Sequence, residues 1–209
     1  MQSRIYKEYQ DLAHKYDKSW AAYLNHTHTR ALEIMKPRPG DHLLDCSGGT
    51  GKFSEQLLKT RDTRVVVTDF SDQMLDVAQS RFRNYSKARI AIRHSDAHHL
   101  PFDAGVFDKI YNLNSFHFYE NPQQVLQEMI RVCKPGGSIL ILDWCRDALR
   151  FKLFEKLMRL IRLPLGKIYQ QKELERLLNQ NNLQVETSIQ WTWRAWSFMI
   201  LKSIKQEID

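Results

Sequence analysis

Residues 45–51 read Asp-Cys-Ser-Gly-Gly-Thr-Gly, an acidic side chain entering a turn built from Ser47, Gly48, Gly49 and Gly51. Leu43 and Leu44 ahead of it suit a buried strand, and Lys52 to Leu58 reads as the start of a helix. A strand, a glycine turn and a helix N-terminus form a place where backbone N–H groups converge and a ligand can approach the main chain closely. Asp69 then closes the apolar run Val65-Val66-Val67. An acidic side chain there can accept hydrogen bonds from both hydroxyls of a ribose. Turn and acid together point to a nucleoside-containing cofactor.

Other polar side chains fall at the ends of apolar runs: Asp96, Asn112, Asn114 and Asp143. The elements that would place them alternate. Strands are expected over His42 to Asp45, Arg64 to Asp69, Ile90 to His94, Phe107 to Leu113 and Ser138 to Asp143. Helices are expected over Lys52 to Lys59, Asp72 to Phe82 with Ser71 as N-cap, and Pro122 to Val132. Lys134-Pro135-Gly136-Gly137 reads as a turn. Such alternation implies an α/β fold with parallel strands and helices on both faces, and ligands then bind outside the carboxyl ends of the strands.

His117 follows the fourth strand and is the first candidate for a general base; its alternative role is packing at a helix start. Asn114 could orient an acceptor or cap the next helix. His26, His28, His98 and His99 lack the carboxylate or thiol spacing of a metal site, so no metal is expected and they read as surface residues.

Before this core, Tyr6, Tyr9, Leu12, Tyr16, Trp20, Tyr23 and Leu24 form an apolar-aromatic stripe at helical spacing, suited to packing and to closing as a lid. After it, residues 151–163 form an amphipathic helix. Phe154, Leu157, Met158 and Ile161 share one face; Lys152, Glu155, Lys156, Arg159 and Arg162 share the other. It reads as a surface helix or pocket wall, with peripheral contact to an anionic membrane as the sharper alternative. A helix over Leu174 to Asn179 and closing strands over Leu183 to Gln190 and Trp196 to Ser203 complete the chain. The expected organisation is a single domain over 1–209: an N-terminal helical lid (1–36), a cofactor-binding core (41–145) and a substrate-side C-terminal part (146–209).

The chain has 209 residues, 43% hydrophobic and 26% charged, enough for one substantial core. No apolar run approaches the ~20 residues that span a bilayer, and the N-terminus lacks a signal-peptide pattern. Cys46, Cys133 and Cys145 are dispersed and odd in number. They suggest reduced thiols and a cytoplasmic location. The net charge of +7 reads as a solvated basic surface.

The stretches D-C-S-G-G-T-G, T-D-F-S-D-Q-M-L, S-D-A-H-H-L-P-F, F-D-K-I-Y-N-L-N and R-V-C-K-P-G-G arrive in an order that resembles the class I S-adenosylmethionine-dependent methyltransferases. The resemblance implies a Rossmann-like, doubly wound seven-stranded sheet with the last strand antiparallel. It implies S-adenosyl-L-methionine as cofactor and a small-molecule methyl acceptor. Asp45, Ser47, Gly48, Gly49, Thr50 and Gly51 would meet the methionine part; Asp69 would hold the ribose. Phe70 and Met74 would pack near the adenine, whose amino group would meet Asp96 beside Ala97. Asn112, Leu113 and Asn114 would lie near the methyl group. Ser47 stands where the family's first motif usually has glycine. The turn is also similar to the A-G-G-T-G of ubiquinone and menaquinone biosynthesis methyltransferases, which suggests a lipophilic or quinone-like acceptor; His117 stands about where those enzymes carry arginine.

Three rival readings remain at this level. A nicotinamide-dependent oxidoreductase would share the glycine turn and acid, but G-G-T-G is not G-x-G-x-x-G. A nucleic-acid methyltransferase would suit the charge, but Asn-Leu-Asn-Ser after the fourth strand is unlike the Asn/Asp-Pro-Pro-aromatic run, and no appended basic RNA module is apparent. A non-catalytic interaction module would have no need to keep Asp69, Asp96 and Gly49-Thr50-Gly51.

Overall fold

The computed structural model describes residues 13–148, 151, 152, 155, 156, 160 and 166–206. Residues 13–19 are helical and lead into α1 (Ala21–Met35). The chain then runs β1 (His42–Cys46), α2 (Lys52–Thr60), β2 (Arg64–Asp69), α3 (Asp72–Phe82), β3 (Ile90–His94) and β4 (Phe107–Leu113). A 3-10 turn (Phe116–Phe118), α4 (Pro122–Val132), β5 (Cys133–Trp144), α5 (Gln171–Gln180), β6 (Leu183–Trp193) and β7 (Trp196–Lys205) follow. The strands form one seven-stranded sheet in the order β3-β2-β1-β4-β5-β7-β6. β1 to β5 pair in parallel; β7 lies antiparallel to both β5 and β6.

Period-two alternation in the central strands builds a core on each face. Leu44, Val66, Ile110, Ile139 and Ile141 pack with Val125, Leu126 and Met129 of α4 and Leu174 and Leu178 of α5. Leu43, Val65, Val67, Tyr111, Leu140 and Leu142 pack on the other side with α1, α2 and α3 through Leu24, Ala31, Met35, Leu57, Ala78 and Phe82. With both faces covered, these strands read as continuous apolar runs, as parallel strands do. The expected caps form: Ser71 Oγ accepts from Met74 N at 3.3 Å, and Asn121 Oδ1 accepts from Gln124 N at 3.2 Å ahead of Pro122.

Three expectations need correction. Lys134 to Gly137 do not form a separate turn; β5 begins at Cys133, which pairs with Phe107 across a register shift before Lys109. Gly136, at φ +68°, absorbs the irregularity, and Lys134 Nζ ties the stretch to Asp108 Oδ1 at 2.7 Å. β6 and β7 extend past the expected Gln190 and Ser203 because their hairpin pairing continues to Trp193 and Trp196 at one end and to Lys205 at the other. Within 151–163, Glu155 is buried rather than solvated, because Arg146 Nε pairs with its carboxylate at 3.0 Å. Phe154, Leu157, Met158, Arg159, Ile161 and Arg162, like Tyr6, Tyr9 and Leu12, lie outside the described residues. Among the described residues no helix is long and apolar enough to cross a membrane, and the three cysteines are free and buried.

Candidate active site

The carboxyl ends of β1 to β4 open into one cleft, with α1 and the preceding helical residues on its far side. The glycine turn forms its floor, and its backbone is held by its own acids. Asp45, buried at the end of β1, accepts from Ser54 Oγ at 2.6 Å; that hydroxyl also meets Tyr111 OH at 2.8 Å. Burial pushes the Asp45 carboxyl up to about 7 against the pull of the Ser54 hydrogen bond. A Cβ on Gly48 would stand 2.4 Å from Asp45 Cγ, so glycine is required there. At Gly51, φ is +68° and a Cβ would stand 2.6 Å from Phe82. The chain thus turns from strand to helix through space that side chains cannot share.

Ser47 has φ +61°, the left-handed region that favours glycine. Its hydroxyl lies 2.7 Å from Tyr119 OH, which in turn accepts from Asn112 Nδ2 at 2.7 Å. The serine therefore exchanges backbone ease for a tie across the cleft to the segment after β4.

Asp69 ends β2 on the cleft wall. Oδ2 accepts from Gly49 N at 2.8 Å and Oδ1 from Ser71 N at 2.9 Å. Desolvation raises its carboxyl above the ordinary range against these backbone hydrogen bonds. Each oxygen keeps a further lone pair, as ribose hydroxyls require. At Asp96, Oδ1 takes both the His98 N–H at 2.9 Å and the His98 ring Nδ1 at 2.7 Å. This leaves Oδ2 unclaimed among the described residues, suited to an amino group. Burial opposes ionisation of Asp96, but the two His98 contacts outweigh it and hold the carboxyl low. Phe70, 45% exposed, offers a ring face at the rim, and Met74 is buried beneath. An acid able to hold a diol, an acid able to hold an amine and a glycine floor fit an adenosine-based cofactor extended across the strand ends.

The expected cofactor residues line this cleft, with two exceptions. Gly51 stands behind the floor against Phe82. Asn112 is fully buried; its amide supports Cys46 O at 2.9 Å and Ser115 Oγ at 2.8 Å as well as Tyr119, so it props the wall without facing the cleft. Asn114 does reach the cleft and sits at φ +61°. Its Oδ1 accepts from Tyr23 OH at 2.9 Å, and Tyr23 OH accepts from Trp144 Nε1 at 2.8 Å.

His117 is not on the cleft wall. Its ring, 2% exposed, is stacked on Trp144 with centroids 4.3 Å apart. Nδ1 lies 2.6 Å from Asp143 Oδ1, and its backbone N–H donates to Oδ2 at 2.7 Å. Nε2 is buried without a hydrogen-bond partner among the described residues. Two histidines expected on the surface are buried cleft residues instead: His28 and His98, held there by packing on Phe53 and by the Asp96 contact. Among the described residues no cluster of three metal-ligating side chains occurs.

Tyr16, Leu24, His28, His98, Ser115, Phe118 and Tyr119 also line the cleft and were not singled out as site residues. Tyr16 belonged only to the aromatic stripe. Tyr119 follows no periodicity and shares no strand end, so nothing in the sequence marked it. The N-terminal helical residues are tied to the glycine turn: Thr50 Oγ1 donates to Asp17 Oδ1 at 2.7 Å. Arg81 bonds the Asp17 carboxylate and Glu55, and its Nε donates to Thr50 O at 2.8 Å.

The family described as "Methyltransferase domain" matches residues 44–141. The demethylmenaquinone methyltransferase of Shouchella clausii is 30% identical over 186 residues, covering 82% of this chain and 76% of that protein. That of Bacillus cereus is 29% identical over 151 residues, covering 68% of this chain; the chain spans less than two thirds of that relative, at 62%. A chain from the complex of the Haloferax volcanii Trm112 methyltransferase activator with a methyltransferase superposes with a TM-score of 0.84 at 18% identity, covering 96% of this chain and 98% of that one. The sheet order, the acids at the ends of β1, β2 and β3, and these relatives agree: the chain belongs to the class I S-adenosylmethionine-dependent methyltransferases.

Proposed function

We propose that this chain methylates a small, uncharged, lipophilic acceptor of quinol-like or phenolic type. The observation that carries the reading is the cleft wall at and beyond the expected methyl end. Tyr16, Leu24, Leu113, Phe118 and Tyr119 make it apolar and aromatic, and Asn114 and Ser115 add two neutral polar groups. A charged acceptor would lose its hydration there without a partner. The similarity to demethylmenaquinone methyltransferases points the same way.

S-adenosylmethionine supplies an activated methyl group when bound. The protein's task is to hold an oxygen or carbon nucleophile in line with that methyl and keep water out, and such positioning can supply ~7 kcal/mol or more. In this reading Asp69, Asp96, Phe70 and the turn at 45–51 fix the cofactor. Tyr23, Thr27 and Trp144 hold Asn114 at the acceptor end, Asn114 Nδ2 donating to Thr27 Oγ1 at 3.3 Å. The N-terminal helical part serves as a lid, latched through Asp17 to Thr50 and Arg81. His117 acts as a positioning residue, since its two bonds to Asp143 anchor the 114–119 segment. A second reading makes His117 the proton acceptor; the bare Nε2 opposite the Asp143-bound Nδ1 favours it, and its burial off the cleft wall speaks against it.

The test is transfer of labelled methyl from S-adenosylmethionine to a panel of lipophilic quinols and phenols, anionic metabolites and transfer RNA. Label confined to the lipophilic set supports the reading; label in transfer RNA or only in anionic acceptors overturns it. His117→Asn separates its two roles. A proton acceptor predicts a lost pH limb with unchanged acceptor KM; a positioning residue predicts a raised KM with the pH profile intact.

A further inference from the structure

His28 is a buried polar side chain for which neither the fold nor the site described so far has a use. It sits on α1, 4% exposed, on the cleft wall. Its ring meets Phe53 edge-on at 5.2 Å, with Lys52 and Gln56 of α2 beside it. Its Nδ1 is buried and has no hydrogen-bond partner among the described residues. Burial, and then the charge of Lys52, hold the ring's pKa down to about 3 against the pull of the Gln56 side chain, so the imidazole is neutral at every physiological pH. A neutral ring on a ligand cleft, whose Gln56 neighbour gives Nδ1 no well-formed hydrogen bond, can gain one from a ligand.

The position indicates which part of the ligand that is. The proposed adenine and ribose contacts lie at the ends of β3 and β2, and β1 is the next strand in the sheet. A cofactor extended in that direction brings its amino-acid end over the glycine turn and the first turn of α2. Lys52 and His28 stand at that limit. The amino-acid end carries an ammonium and a carboxylate. Lys52 and the N-terminus of α2 complement the carboxylate, and a neutral imidazole can bond either group.

We propose that His28 is a binding residue for the α-amino-acid end of the cofactor, completing from α1 a subsite otherwise built by the glycine turn and Lys52. This rests on the cleft being the S-adenosylmethionine site with its nucleoside at β2 and β3. The contact also gives α1 a direct reason to sit closed over bound cofactor.

The test compares two ligands by calorimetric titration. S-adenosylhomocysteine has the amino-acid end; 5′-methylthioadenosine keeps the nucleoside and sulfur and lacks it. His28→Phe retains a ring against Phe53 and removes both nitrogens. It is expected to weaken S-adenosylhomocysteine by about tenfold or more, as for a lost hydrogen bond to a charged group, and to leave 5′-methylthioadenosine within about twofold. Equal weakening of both ligands, or of neither, overturns the proposal. Lost stability with ligand discrimination intact does so too, because it assigns the ring to packing between α1 and α2 near Gln56. Wild-type protein supplies a second measurement: the His28 ring 15N resonances should shift on adding S-adenosylhomocysteine and stay in place with 5′-methylthioadenosine, and identical spectra with both ligands would contradict the assignment. Failure of wild-type protein to bind either ligand would instead refute the underlying cofactor placement.

Discussion

A methyl group added at Gly48 has nowhere to go. In Gly48→Ala the new Cβ would lie 2.4 Å from Asp45 Cγ, 2.6 Å from Oδ2 and 2.7 Å from Oδ1. The carboxyl cannot swing aside freely. It is 2% exposed, and Oδ2 is tied to Ser54, whose hydroxyl also meets the fully buried Tyr111. Either the turn lifts or the Ser54 hydrogen bond breaks. Overpacking costs about 1–3 kcal/mol, and a lost bond to a buried carboxyl costs about 1–3 kcal/mol more. Where both occur the cost is ~2–6 kcal/mol, a fall in Tm of roughly 4–24 °C for a chain of this size. Thermal unfolding measures it, and a double-mutant cycle with Asp45→Ala tests the cause. Alanine removes the colliding Cγ and both oxygens, so in that background Gly48→Ala should cost less than about 1 kcal/mol. The same loss in both backgrounds would show that the glycine is needed for some other reason.

Three further outcomes follow from the same geometry. Asp69→Ala should weaken S-adenosylhomocysteine by about 1–3 kcal/mol and also lower Tm, because the Gly49 and Ser71 N–H groups lose their acceptor; unchanged affinity in a folded variant would place the ribose elsewhere. Ser47→Ala keeps the strained φ of +61° and loses the Tyr119 contact, whereas Ser47→Gly relieves the strain. Alanine should therefore be the more destabilising by about 1 kcal/mol in denaturant titration, and the reverse order would count against the strain. Asp45, with its carboxyl raised to about 7, keeps in the folded state a proton that the unfolded chain releases near pH 4. Its stabilising contribution is whole below about pH 4 and lost as pH rises through about 7. Asp45→Asn should flatten that decline, by at most about 4 kcal/mol; an unaltered pH–stability curve would remove Asp45 as its source.

The sheet and its helices were legible because each central strand carries a compact apolar run and each helix a cap or breaker: Ser71, Asn121, Pro122. The glycine turn and the strand-end acids were legible for a related reason. Backbone-approach glycines and strand-end acids are local signals, and Asp45, Ser47 to Thr50, Asp69 and Asp96 all stand on one cleft. The rest of the cleft wall was not. Tyr16, His28 and Tyr119 reach the cleft from separate parts of the chain, and only folding brings Tyr119 to Ser47 or α1 to the turn. His28 and His98 misled for the opposite reason: histidine's usual exposure gave no hint that Phe53 and Asp96 would enclose them. Asn112 was placed correctly along β4, yet a strand alternates faces, and its amide serves Cys46 and Tyr119 instead of a ligand.

The cleft over β1 to β4 has the acids and glycines to hold the methyl donor. Calorimetric titration of the whole chain with S-adenosylhomocysteine, against NADH as control, tests it most directly. Saturable one-to-one binding of S-adenosylhomocysteine, weakened by Asp69→Ala, and none of NADH is the expected result. Binding of NADH without S-adenosylhomocysteine would contradict it.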